Sequence, residues 1–420
     1  MSLTTRVLIG LVAGFLVGLA NARYPSSAGV VLVTVAEPVG TIFINLIRMT
    51  AIPLVVSLLI VSIGSLATSS TLGRAAWKAA AVMLALLVVA AAISLAVAQP
   101  VLARLNVDAS AAKAIARPAA AKLEFRIQPA DAPPARSALA QWFVDLVPQN
   151  AIKAVADGSM LPIIVFTLLF AAALARVGDE RRASVLRVAG GVADAMQRLV
   201  AGILQLAPIG VFALAVPLAS TLGLSAAAAV IAYIALVVSL TVLVVALVVY
   251  PVGIAAGPLS TREFVTYCAP AQTVAFASRT SLAALPAMIE SAKRADLPPV
   301  AAGFIIPLGA SLFRVGAAVA QTVGVLFLAR LYAVPLTPAQ LASILFTVIL
   351  TTFAVPGIPF GSIIAMVPVL GAAGVPVEGI GILLAVDTIP DMFRTTANVT
   401  GSLTLATVIA GTSKLRKRSY

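Results

Sequence analysis

Nothing constrains this chain more than six apolar stretches before residue 252, each of the length needed to cross a bilayer. They lie near 6–22, 41–67, 77–101, 142–175, 190–219 and 223–251. A helical span needs about 20 apolar residues. Inside the hydrocarbon every backbone polar group must be bonded within the protein, so only helices and closed barrels qualify. The stretches are long and rich in Ala, Val and Leu, unlike the alternating segments of about 10 residues that build a barrel. Of the 420 residues, 61% are hydrophobic and 10% charged, with a mean hydropathy of +1.10. No soluble domain of this size has that composition. The expected class is an all-α polytopic membrane protein.

The net charge is +13, from 28 basic and 15 acidic residues. Much of it lies in "RVGDERRASVLR" (Arg176–Arg187) and "KLRKR" (Lys414–Arg418). Basic segments beside membrane helices mark the cytoplasmic face, so the charge is read as topology and no nucleic-acid partner is expected. The expected location is the cell inner membrane, multi-pass, with both termini cytoplasmic. Arg6, the apolar run after it and "ANA" (Ala20–Ala22) imitate a secretory leader, but the many later spans favour a retained first helix. The single cysteine, Cys268, excludes an internal disulfide framework. With no histidine, imidazole is neither proton relay nor metal ligand. No metal-ligand cluster is apparent, and no Ser or Cys stands beside a base, so the chain is not expected to be an enzyme.

After Gly257 the pattern changes. The segment 262–292 is interrupted by "SRTSLAALP" (Ser278–Pro286), and 341–370 by "VPGIPFGS" (Val355–Ser362). Each reads as a re-entrant hairpin whose tip exposes backbone, which membrane depth tolerates only inside protein or along a cavity. Two interrupted segments in matching positions point to a transporter's binding site. The alternative is a pair of ordinary spans kinked by Pro286 and by Pro356 and Pro359. A full helix is expected after each hairpin, at 298–331 and 376–410. The first of these carries Arg314, the one charge between Val300 and Phe327. A guanidinium at that depth costs on the order of 3 kcal/mol or more unless it is partnered or lines a wet cavity.

The second carries "DTIPDMFRTTANVTGS" (Asp387–Ser402). Asp387, Asp391, Arg394 and Asn398 stand at helical spacing, and Thr395 and Ser402 extend the stripe. An arginine fork binds a carboxylate bidentately, an aspartate suits an ammonium, and an amide with hydroxyls completes the set. The face suits a zwitterion with a second carboxylate. The alternative is a self-satisfied network in which Arg394 pairs with Asp387 or Asp391.

These residues resemble the dicarboxylate/amino acid:cation symporter family, which includes the glutamate and aspartate transporters. "NLIRMTAIPLVVSLLIVSI" is similar to its second helix, "LVPQNAIKAVADGSMLPIIVF" to its fourth-helix region and "APIGVFAL" to its fifth helix. "SRTSLAALP" and "PGIPFGS" are similar to its two hairpin tips, and "DTIPDMFRTTANVTG" to its eighth-helix signature. The resemblance covers nearly the whole chain. It implies a homotrimer with a glutamate-transporter-like elevator fold of eight transmembrane helices plus two re-entrant helical hairpins. It assigns 1–76 and 142–219 to a scaffold, 77–101 and 220–413 to a transport domain, 102–141 to an external flexible loop and 414–420 to a cytoplasmic basic tail.

Site roles follow from the same resemblance. Arg394 would bind the substrate's side-chain carboxylate, Asp391 and Thr395 its amino group, and Asn398 and Ser281 its main-chain carboxylate. Backbone near Thr280, Val355, Gly357 and Ile358 would close over it, and Arg279 would balance Asp387. With Asp391 and Arg394 both present, an acidic amino acid is expected over a plain dicarboxylate or a neutral amino acid. The direction of flux and the choice between aspartate and glutamate stay open.

The sequence departs from the sodium-coupled pattern. The family's Asn-Met-Asp-Gly-Thr motif is replaced by Phe313, Arg314, Val315, Gly316 and Ala317. The second ion-binding Asp is Ser402, and third-helix ligands become Ala85, Val88 and Val89. The sodium sites are read as lost, with no cofactor or metal expected. Arg279, Arg314 and Arg394 against Asp387, Asp391 and one acidic amino acid sum to zero. Arg314 is therefore read as a built-in cation that holds the second hairpin's carbonyls or the substrate, in a sodium-independent transporter. Several alternatives stay open: Arg314 snorkelling into a crevice, a cation site surviving on backbone carbonyls, proton coupling, and a sensor or channel-like anion pathway on the same fold.

Overall fold

The computed structural model describes residues 3–66, 73–104, 144, 147–157, 159–222, 224–355 and 360–412, and every regular element among them is helical. The loop expected at 102–141 falls outside the described residues after Arg104, apart from Val144 just beyond it, and so does the basic tail at 414–420. Among the described residues, five helices are long and apolar enough to cross a membrane, or six if the bent pair Asp179–Gln205 and Ala207–Ser220 counts as one span.

The first helix, Leu3–Arg23, is an integral element that packs along Ala207–Leu222. Cβ atoms at Gly10, Gly14 and Gly18 would sit 2.3, 2.7 and 2.5 Å from the carbonyl oxygens of Pro208, Phe212 and Val216. Small residues at this spacing let two backbones touch, and such packing is what associates helices where lipid removes the hydrophobic drive. The second helix, expected at 41–67, begins earlier and runs unbroken from Ser27 to Leu66. A proline forfeits one hydrogen bond, but packing against Asp179–Gln205 and Ala207–Leu222 carries this helix past Pro38 and Pro53.

Two other expected spans are divided. The stretch 142–175 becomes Ala151–Ala156, capped by the Asn150 side chain on the N–H groups of Ile152 and Lys153, and Met160–Leu174. The stretch 190–219 becomes two helices meeting at 59°, with Pro208 just inside the second, where a missing N–H does no harm. Leu224–Val244 continues through a π turn, Val245–Val249, into Tyr250–Ala256. A second π turn, Ala301–Ile305, precedes Ile306–Leu312. Both widened turns lie just before a proline, Pro251 or Pro307, which lacks the N–H that would continue the regular ladder.

Both interrupted segments form helix pairs. Thr261–Ser278 packs on Ser281–Arg294, joined by Arg279 in the left-handed region (φ 56°) and extended Thr280. Pro286 lies inside the second arm and does not break it. Pro338–Thr352 packs on Val367–Ala373, with Gly361–Ile364 at the start of the return.

The helix expected without interruption at 298–331 is broken. Ile306–Leu312 ends, Phe313 (φ −93°, ψ 114°) and Arg314 (φ −130°, ψ 58°) leave helical geometry, and Val315–Leu331 restarts. The second half of this broken helix is buried along its length up to Arg330, with Gly73–Ala103, Leu224–Val244, Pro338–Thr352 and Thr388–Thr412 packed on it. The helix expected at 376–410 also has a seam: Ile380–Val386 stops at Asp387, and Thr388–Thr412 follows. Pro390 leaves the Val386 carbonyl without its i+4 donor, whereas the Asp391 N–H still reaches the Asp387 carbonyl at 2.7 Å.

A Gly14→Ala change tests the close outer packing. Its Cβ would press on the Phe212 carbonyl, which is backbone and cannot swing away. The expected cost is about 1–3 kcal/mol, read as a lower unfolding midpoint of the detergent-solubilised protein; an unchanged midpoint would contradict the packing described.

Candidate functional site

The seam at Asp387 and the break at Arg314 meet in the interior. Gly316, two residues after the break, lies so close to the last helix that a Cβ there would be 2.5 Å from the Arg394 carbonyl oxygen. The Asn398 Oδ1 accepts the Gly316 N–H at 2.8 Å. That N–H belongs to the first turn of Val315–Leu331, where the helix itself supplies no acceptor. The same approach places the Phe313 ring against Gly401.

The centre of the site is an arginine between two aspartates. Arg394 and Asp387 are 0% exposed and Asp391 6%. Arg394 Nη1 and Nη2 donate to the two Asp387 oxygens at 2.5 and 2.7 Å, and Nη2 also donates to Asp391 Oδ1 at 2.8 Å. Charges this deep persist only when paired and hydrogen-bonded. Two atoms of the cluster are nevertheless open: among the described residues, Arg394 Nε and Asp391 Oδ2 have no hydrogen-bond partner. One is a donor of the guanidinium and the other an acceptor of the carboxylate.

Asp387 is paired with Arg394, whose bidentate fork closes on it from the helix that follows, and Arg279 lies within electrostatic reach of Asp391. Among the described residues Arg314, 3% exposed, bonds neither the second hairpin nor a carboxylate. Its Nη1 donates to the Ala310 carbonyl at 2.6 Å and its Nη2 to the Ser311 carbonyl at 3.3 Å. In a continuous helix those carbonyls would take the N–H groups of residues 314 and 315. The guanidinium replaces both backbone donors, and a cation at a helix C-terminus is also favoured by the dipole.

The remaining expected residues fall as follows. Thr395 is buried on the last helix, and Ser281 is buried as the first residue of the first hairpin's return arm. Thr280 is the extended tip residue, its N–H facing the Ser278 hydroxyl at 3.4 Å. Val355 is buried against Ala317 and Ala365, which sets the second hairpin on the broken helix. Gly357 and Ile358 lie outside the described residues. Among the described residues no group of three or more His, Cys, Asp or Glu side chains could hold a metal ion. The Ser402 hydroxyl, standing where the resemblance implies an ion-binding Asp, donates to the Asn398 carbonyl at 3.0 Å.

Sequence reasoning missed one residue that ties the site together. Gln321 is fully buried; its side-chain oxygen accepts from the Thr351 hydroxyl at 3.0 Å, and its amide donates to the Ser362 carbonyl at 3.2 Å. Thr351 and Ser362 stand on opposite arms of the second hairpin, so one side chain of the broken helix holds both. The signal was present: Gln321 lies seven residues after Arg314, two turns along the same face, and is the only amide in that apolar run.

Comparison with known proteins now bears on this geometry. The profile of the sodium:dicarboxylate symporter family matches residues 3–412. The chain belongs to that family. It is 28% identical over 408 residues to the proton/sodium-glutamate symport protein of Bacillus subtilis (strain 168), covering 97% of this chain and 92% of the relative. It is 28% identical over 409 residues to the proton/glutamate-aspartate symporter of Escherichia coli (strain K12), covering 97% and 92%. It is 27% identical over 414 residues to the C4-dicarboxylate transport protein of Anaeromyxobacter sp. (strain K), covering 96% and 87%. These relatives are transporters, so the chain is a multi-pass membrane transport protein and not an enzyme.

The asymmetry of the charged cluster gives a stability test. Asp387→Asn removes the bidentate partner of a buried guanidinium and is expected to cost about 3 kcal/mol. Asp391→Asn keeps an acceptor oxygen for the single bond and removes only its charge, with Asp387 still in place, and is expected to cost about 1 kcal/mol. Denaturation of the two purified variants checks the order; a larger loss for Asp391→Asn would contradict it.

Proposed function

We propose that this protein is a secondary transporter of acidic amino acids, aspartate or glutamate, and that it works without sodium. The observation that carries the reading is the buried Arg394 between two aspartates, with its Nε and the Asp391 Oδ2 unpartnered among the described residues. An acidic amino acid offers what those atoms lack: its side-chain carboxylate takes the guanidinium donor, and its ammonium takes the Asp391 oxygen. Asn398, whose Oδ1 is committed to Gly316, has its amide NH2 to offer a main-chain carboxylate, with Ser281 and the backbone at Thr280 beside the first hairpin tip. Val355, Gly357 and Ile358 would close over the ligand from the second. The relatives named for glutamate and aspartate support this choice.

The sodium-independent part rests on what stands at the positions where the family resemblance implies ion ligands. A phenylalanine ring lies on Gly401, Val315 offers no side-chain oxygen, and the Arg314 guanidinium already occupies two carbonyls. A hard cation needs several oxygen ligands, and a guanidinium hydrogen-bonded to these carbonyls would repel it. The second reading is a proton- or sodium-coupled symporter with a cation site on other backbone carbonyls, favoured by the names of the relatives from B. subtilis and E. coli.

The remaining architecture is part of the same proposal. Eight crossings and two re-entrant hairpins would form a homotrimer in the inner membrane, with both termini cytoplasmic. Segments 77–101 and 220–413 would move as an elevator core against a scaffold built from 1–76 and 142–219. Support comes from the packing: Leu3–Arg23 and Ser27–Leu66 both pack on Ala207–Leu222, whereas the charged cluster lies on the later elements.

Uptake of labelled aspartate, glutamate and succinate into proteoliposomes in choline medium tests the proposal. Saturable uptake of the two amino acids is expected, and Arg394→Gln should reduce binding by about two orders of magnitude, because it strips the charge from a buried pair. Undiminished affinity in Arg394→Gln would contradict the site. Binding without uptake would mark a sensor, and unsaturable current a channel.

A further inference from the structure

We infer that the protein is an exchanger, trading one net-monoanionic substrate for another and returning slowly when empty; the inference rests on the transport reading above and concerns its mode. The charged groups of the site do not cancel. Arg394 is paired with Asp387 and Asp391, and those three groups sum to −1. Arg314 is buried, and among the described residues no ion pair includes it; its hydrogen bonds go to two neutral carbonyls. It brings the sum to zero. Arg279, half-buried at the first hairpin tip, brings it to +1. The undescribed tip residues 356–359 read Pro-Gly-Ile-Pro and add no side-chain charge.

The empty site therefore carries one net positive charge, and a substrate of net charge −1 makes it neutral. The partial negative charge of the helix end at Ala310 and Ser311 eases the burial of Arg314, but it is the same with and without substrate. The difference of one full charge remains. Hydrocarbon disfavours an uncompensated charge strongly, so the loaded core crosses more readily than the empty one. Every inward crossing is then followed most readily by an outward crossing with cargo. The same sum selects the cargo: a neutral amino acid leaves +1, and a doubly ionised dicarboxylate leaves −1. An α-amino acid with one side-chain carboxylate leaves zero.

Proteoliposomes in sodium-free choline medium test this with labelled aspartate outside and either unlabelled aspartate or nothing inside. Preloaded vesicles should take up label at least about tenfold faster than empty ones. Equal rates would overturn the exchange mode while leaving the transport reading intact; uptake in neither would overturn the transport reading itself. Exchange should also be indifferent to a potassium–valinomycin potential, since both crossings are neutral, and a potential-dependent exchange rate would contradict the charge count. Arg314→Met resets the empty site to zero and the loaded site to −1. It should pull the ratio of exchange to net uptake towards one, and an unchanged ratio in a variant that still binds aspartate would also overturn the inference.

Discussion

A charge inside a bilayer must bring its own partner, and the interior of this protein is arranged around that requirement. Arg394 donates three hydrogen bonds to two aspartates, Asp391 on its own helix and Asp387 at the seam just before it. For Asp387 to reach it from seven residues away, the helix is interrupted at Asp387, where Pro390 has removed a backbone donor. For the broken helix to wall the cluster, Gly316 must be glycine, because any side chain would strike the Arg394 backbone. Asn398 then fixes the approach by accepting the Gly316 N–H. The cluster thus lies where the seam of one helix meets the restart of the other.

Arg314 meets the same requirement differently. It has no carboxylate among the described residues, so it takes the two carbonyls that the break exposes and stands in for the missing backbone N–H groups. One residue accounts for the non-helical geometry and supplies a fixed cation beside the site. A protein that carries its cation covalently need not collect one from solution, but it cannot release it either. In the function proposed, sodium independence and a net charge on the empty site both follow from that fixed cation.

Much of this was legible in the sequence, and the misses have physical causes. The stripe from Asp387 to Ser402 was visible because polar groups are costly in an apolar span, and six of them at helical spacing share one face. The hairpins were visible because their tips are marked by Ser, Pro and Gly. The break at Phe313 was not, since neither Phe nor Arg is a helix breaker; the interruption comes from a side chain competing for backbone carbonyls. The pairing of Arg394 with Asp387 was one of the readings the stripe left open, because spacing shows which groups share a face and not which two close on each other. The 59° bend near Leu206 and the early start of the second helix at Ser27 escaped for a related reason. Proline marks a possible boundary, and packing decides whether it becomes one. Gln321 was overlooked because a lone amide carries no charge to attract notice.

The central claim is that the site is complete with its own cations. Calorimetric titration of aspartate into the purified protein, first in choline and then in sodium at equal ionic strength, tests it most directly. The account predicts the same affinity in both, with Arg314 already in the place of an ion. Binding that appears only when sodium is added would contradict it.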